Sequence, residues 1–134
     1  MDEETRANLL KGEFIVGLGL HADGVGAGWA TIGVEIGPRH MNRNGIMHGG
    51  VVVTLLDTAS GLACIFDDQG KAVRKVVTVS LNTHFLRPVT EGRLTAKARV
   101  ESGRRTFSVS CAVVDQQDRL VASSQGIFQT VPQR

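Results

Sequence analysis

The chain has 134 residues, 42% hydrophobic and 21% charged, with 15 Lys and Arg against 13 Asp and Glu for a formal charge of +2. That length supports one domain around one core rather than two domains, and the ordinary composition excludes disordered, collagenous and coiled-coil classes. Charges so evenly balanced argue against a surface that holds nucleic acid by neutralising phosphates.

The opening MDEETRANLLKGEF is acidic and polar rather than basic and then apolar, so it lacks the layout of a secretory signal. Residues 1–12 are expected to be an N-terminal extension, with a short helix over residues 2–11. The apolar run FIVGLGL then reads as a strand, HADGVGAG as a glycine-rich turn, and WATIGVEIG as the second strand of a hairpin. In the second strand Ala30, Ile32, Val34 and Ile36 share one face while Thr31 and Glu35 take the other, the two-residue period of a half-buried strand. GPRHMNRNGIMHGG, dense in Gly, Pro and Asn, reads as a loop.

Gly50 to Phe66 is apolar nearly all round. Its length and the spacing of Leu55, Leu56, Ala59, Leu62 and Ala63 predict a helix, enclosed by other structure. Four strands follow: Val73 to Leu86, Arg93 to Glu101, Thr106 to Val114 and Leu120 to Gln129. Leu94, Ala96, Ala98 and Val100 alternate with polar neighbours, as do Phe107, Val109, Cys111 and Val113. The short polar links SGRR and DQQD predict an antiparallel meander. The expected fold class is α+β, an antiparallel sheet curled round one long central helix in a single domain.

Cys64 and Cys111 have no CxxC or metal-ligand spacing and read as buried, inert thiols, which fits a reducing cytoplasm. The longest oily stretch, Val51 to Phe66, is shorter than the roughly 20 residues of a membrane span, and Asp57 interrupts it. His21, His40 and His84 show no HExxH-like spacing, so no metal is expected. Asp67, Asp68 and Asp118 read as loop charges without a role.

A carboxylate in an apolar helix is costly unless it is paired, hydrogen-bonded or protonated, so Asp57 calls for a reason. It could lie on a polar stripe with Thr54, Thr58 and Ser60, or cap nearby backbone amides. Its neighbours favour a site: Gly49 and Gly50 open the helix, where free N–H groups and the helix dipole seat negative charge and glycine admits a ligand to the backbone. An oxyanion seat and a carboxylate are what acyl hydrolysis requires, one stabilising the tetrahedral oxygen and the other activating water or attacking directly. Asp57 is eight residues past Gly49, about 12 Å along a helix axis, too far for one substrate. Two chains related by a two-fold axis, with antiparallel helices, would bring the helix start of one to Asp57 of the other.

The pattern N-x-x-G-x-x-H-G-G, here Asn42, Gly45, His48, Gly49 and Gly50, followed by Leu56 and Asp57, resembles the hotdog-fold acyl-CoA thioesterases of the phenylacetate-pathway (PaaI-like) group. The likeness runs through nearly the whole chain past about residue 13. It implies a hotdog fold, hydrolysis of an acyl-CoA ester to acid and free CoA without a separate cofactor, and a cytoplasmic homodimer, commonly paired into a homotetramer as a dimer of dimers. It implies that the Gly49 N–H polarises the thioester carbonyl with help from Asn42, that the partner's Asp57 is general base or nucleophile, and that Thr78 orients the attacking water. His48 has two readings, a catalytic group or a ring that holds the loop by bonding Asn42 or backbone; the second is favoured because Asp57 and the helix start already supply the chemistry. His84 could line the ligand channel. Arg87, Arg104 and Arg105 are candidates for the nucleotide phosphates of coenzyme A, the alternative being solvated surface charges, as turn arginines commonly are.

Two competitors stand beside this reading. Hydratases and dehydratases on the same fold usually pair a histidine with an acid on a differently patterned helix. A non-catalytic acyl-CoA sensor would keep the pocket without needing Asp57. No G-x-S-x-G or phosphate-loop motif occurs. A pocket lined by Val, Leu, Ile and Phe discriminates by only about 1 to 3 kcal/mol per methylene, so broad acyl selectivity is expected.

Overall fold

The computed structural model describes residues 9–132. The helix expected over residues 2–11 lies mostly outside that range. Within it, a short helix α1 (Glu13–Gly17) precedes strands β1 (His21–Gly26) and β2 (Trp29–Glu35). A 3-10 turn (Pro38–His40) and a loop lead into the long helix α2 (Gly49–Ile65). Strands β3 (Lys75–Phe85), β4 (Arg93–Gly103), β5 (Thr106–Val114) and β6 (Leu120–Val131) complete the chain. All six strands form one antiparallel sheet in the order β1-β2-β4-β5-β6-β3.

The inward residues follow the alternation of the sequence. Ala30, Ile32 and Val34 on β2, Leu94, Ala96 and Ala98 on β4, and Phe107, Val109, Cys111 and Val113 on β5 are buried against Leu55, Leu56, Ala59 and Ala63 of α2. Burying each large side chain contributes about 1.5–3 kcal/mol, so this interface holds the helix to the sheet. Arg74 anchors the far end of α2: its Nη1 donates to the Cys64 carbonyl at 2.6 Å, and its guanidinium stands 5.3 Å from the centre of the Phe107 ring. Cys64 and Cys111 are buried free thiols, pushed up to about 11 and about 12 by burial, and therefore poor nucleophiles.

Four expectations need correction. FIVG is helical rather than a strand; Phe14 and Val16 are exposed while Ile15 and Leu18 pack on the core, a split that a short apolar run does not reveal. The hairpin's first strand is instead the segment that reads as a turn, HADGVG. Its glycines make room for Trp29: a Cβ at Gly24 would come within 3.0 Å of the indole, and one at Gly26 would run into the indole nitrogen. The four later strands are not a simple meander either. β4, β5 and β6 are, but β3 pairs with β6 at the far edge, because β2 already occupies the side of β4 that a β3–β4 hairpin would use.

Nor is α2 enclosed all round. Val53, Asp57 and Gly61, spaced by four along one face, are half-buried. β3 is the edge strand of the sheet, and Asp57 on this face of the helix meets it.

Candidate active site

The loop before α2 is built by its own polar side chains. Asn42 Oδ1 accepts the Asn44 N–H at 2.8 Å and the Ile46 N–H at 3.2 Å, and Gly45 takes φ 73, which glycine adopts without strain. The loop is clamped by Met47 N–H to the Val89 carbonyl (2.8 Å) and His48 N–H to the His40 carbonyl (2.7 Å). His40 is wholly buried. Its Nδ1 accepts the Gly37 N–H at 2.9 Å and its Nε2 lies 2.7 Å from the Leu18 carbonyl, which requires the proton on Nε2 and makes this histidine a structural tie.

His48 is the N-cap of α2. Its extended backbone (φ −62, ψ 133) stops the helix from starting earlier, and its ring accepts the Gly50 N–H on Nδ1 at 2.8 Å. The Val51 N–H goes to the His48 carbonyl at 3.0 Å. Among the described residues the Gly49 N–H has no acceptor.

Beside that amide lies a cleft of about 360 Å³, lined among others by Asn42, Met47, Gly49, Val52, Phe85 and Arg87. The Phe85 ring covers Gly49 so closely that a Cβ there would sit 3.4 Å from it. Sequence reasoning missed Phe85 and Met47. An apolar side chain at the end of strand β3, 59% exposed in the chain, gave no periodic signal that it faces a cleft.

Asp57 lies farther along α2 and does not line this cleft. Thr78 on β3 donates its hydroxyl to Asp57 Oδ1 at 2.7 Å. A bulge follows Thr78 in the strand. Thr78 pairs with Phe128 and Ser80 with Ile127, so Val79 is an extra residue in the ladder. Thr78 and Leu81 therefore share the inner face, whereas Ser80, Asn82 and His84 turn outward.

The other expected site residues are scattered. His84 pairs with Ser123 on the outer face and does not reach the cleft. Arg87 lines it. Arg104 and Arg105 are exposed on the β4–β5 turn, where the Arg105 carbonyl accepts the Thr130 N–H at 2.8 Å. Thr130 adjoins the Lys75 end of β3, the end opposite the cleft. Gly50, expected at the ligand, has its N–H occupied by the His48 ring. Two loop aspartates do have structural work: Asp68 Oδ1 accepts the Ala27 N–H at 2.8 Å, and Asp67 Oδ1 accepts those of Gln69 and Lys71, each at 2.9 Å.

An antiparallel sheet wrapped on one long helix, with a free amide at the helix head and a carboxylate midway along it, is the hotdog architecture. Residues 44–122 match the family model described as the thioesterase superfamily, and the chain belongs to that family. It is 32% identical over 111 residues to the acyl-coenzyme A thioesterase PaaI of Escherichia coli, covering 81% of this chain and 76% of that one. Among solved structures, conserved protein PA5202 from Pseudomonas aeruginosa superposes with a TM-score of 0.84 at 31% identity, over 98% of this chain and 100% of the other. The E. coli PaaI protein of the phenylacetic acid degradation operon superposes at 0.81 with 26% identity, over 91% and 86%. The chain is a thioesterase. Among the described residues no helix is long and apolar enough to cross a membrane.

Proposed function

We propose that the protein hydrolyses acyl-CoA thioesters at two identical sites in a homodimer, each made from the helix head of one subunit and Asp57 of the partner subunit. The observation that carries this reading is the Asp57–Thr78 pair, a half-buried carboxylate held at 2.7 Å by a hydroxyl yet outside the cleft that opens at Gly49 of its own chain. Roughly 12 Å of helix separates the two groups, and reacting atoms must come within about 3 to 3.5 Å.

The free edge of β3 supports the dimer. Val77 and Val79 on it are 50% and 62% exposed, and Phe85 and Leu86 at its end are 59% and 55% exposed. A second β3 pairing antiparallel about the middle of the strand would cover them. It would also set the Lys75 end of one strand beside the Phe85 end of the other, bringing the partner's Asp57 and Thr78 toward the cleft and the partner's Arg104 and Arg105 toward its mouth. There, with Arg87, they would meet the phosphates of coenzyme A.

In the site so formed, the Gly49 N–H and the Asn42 side-chain amide donate to the thioester oxygen and stabilise the negative charge it gains. Thr78 donates to Asp57 and keeps lone pairs that accept from a water. Asp57 takes a proton of that water as its oxygen attacks the carbonyl carbon; as the carbon–sulfur bond breaks, the proton passes from Asp57 to the departing sulfur, releasing the free acid and CoA thiol and restoring the carboxylate. Direct attack by Asp57, followed by hydrolysis of the resulting anhydride, uses the same geometry.

The test is thiol release across aryl and aliphatic acyl-CoAs, run beside Asp57→Ala. Hydrolysis should fall at least about a thousandfold, the scale of losing a group made for the transition state, while acyl-CoA binding stays near that of the wild type. Equal loss of both would assign Asp57 a structural role, and undiminished hydrolysis would remove it from the chemistry.

A further inference from the structure

Three amides open α2, and they have three different fates. The Val51 N–H is bonded to the His48 carbonyl, the Gly50 N–H to the His48 ring, and the Gly49 N–H to nothing among the described residues. The ring reaches Gly50 only because that residue has no side chain: a Cβ there would lie 2.9 Å from Nδ1 and 3.2 Å from Cε1 of His48. A neighbouring donor is already restricted in the same way. Both bonds to Asn42 Oδ1 come from its own loop, at 2.8 and 3.2 Å, which leaves only its Nδ2 group to act in the cleft.

We infer that His48 is a positioning residue, whose ring withdraws the Gly50 amide from the ligand and leaves Gly49 as the single backbone donor at the helix head. This rests on the thioesterase reading of the cleft. An oxygen free to choose between two adjacent amides would settle between them, displaced along the helix from the carbon that Asp57 of the partner subunit must reach. Occupying one amide removes that choice. To accept an N–H, Nδ1 must carry no proton, so the ring is held as the tautomer with hydrogen on Nε2 and does no proton transfer through Nδ1.

The inference separates His48→Ala from His48→Asn. Asparagine is a strong N-cap whose oxygen accepts the same amide, but it cannot shuttle a proton. His48→Ala should lower kcat roughly tenfold with KM within about twofold, as for misplacement of a reacting oxygen, whereas His48→Asn should stay within about threefold of wild type with an unchanged pH profile. Gly50→Ala should match His48→Ala, and the double variant should lose no more than either alone, because both changes break one contact. An Asn variant as impaired as the Ala variant, with one limb of the pH–rate profile gone, would make His48 a proton carrier and overturn the inference. So would full kcat in His48→Ala. Hydrogen exchange at the Gly50 amide reads the contact without substrate: it should be slow in the wild type and His48→Asn and fast in His48→Ala. Equal exchange in all three defeats the inference whatever the enzyme hydrolyses; slow wild-type exchange with no thiol release from any acyl-CoA defeats the functional reading alone.

Discussion

The two edges of the sheet differ in how they meet water. β1 is short, carries a register shift between Ala22 and Gly24, and places His21 and Asp23 outward. Asp23 is tied to Arg93 at 2.7 Å, and Arg93 also approaches Glu35 at 3.5 Å. Short length, irregularity and charge are the devices by which a sheet edge avoids pairing with another chain. β3 has 11 residues, and its middle exposes Val77 and Val79 with no charge between them. An edge of that kind is an invitation to a partner, and it is the edge that carries Thr78 to Asp57. One edge is thus finished within the single chain and the other is not; on the proposed function it is the unfinished edge that takes the second copy and carries the chemistry.

The largest break in that comparison is a charge on the open edge. Val79→Lys would bury an unpaired ammonium in the pairing surface, a cost of about 3–5 kcal/mol that weakens association by two orders of magnitude or more. Sedimentation should show monomers, and thiol release should fall with them. Ala27→Lys at the β1–β2 turn, exposed and remote from β3, should leave both unchanged.

On the closed edge the expected effect is on stability alone. Gly26→Ala places a methyl group against the Trp29 indole and 2.8 Å from Asp68 Oδ1, and should cost about 1–3 kcal/mol, seen as a lower Tm with kcat intact. The smallest effect concerns acid. Asp115 accepts the backbone N–H groups of Gln117 and Arg119 and the Arg119 guanidinium; burial works against its charge, but these bonds hold its carboxyl below the usual range. A carboxyl depressed in the folded state contributes stability at neutral pH that is lost as pH falls below about 4. The gap in Tm between wild type and Asp115→Asn should therefore narrow on acidification.

How far these features can be read from the sequence varies by region. α2 is legible because its apolar run is too long for a strand and its glycine pair marks the start. β4 and β5 are legible because alternation over nine or more residues leaves no other period. β1 is not, since its glycines answer to a tryptophan ring across the hairpin rather than to a turn. The place of β3 is hidden as well: its partner β6 lies far along the chain, and a bulge at Val79 breaks the period that would tell inner from outer residues. That same bulge is why His84, set near the ligand by sequence, faces outward, while Thr78 faces Asp57. The link between Asp57 and Thr78 came from family resemblance, and no local pattern in the chain announces it.

The central claim, that each site draws on two subunits, is tested most directly by mixing two inactive variants. Gly49→Pro removes one amide at the first helical position, where proline is tolerated; Asp57→Ala removes the carboxylate. Refolded together at equal amounts, half of the dimers are mixed, and each mixed dimer has one intact site of two, so about one quarter of wild-type thiol release should return. Mixed dimers that form yet remain as inactive as either parent would contradict the account.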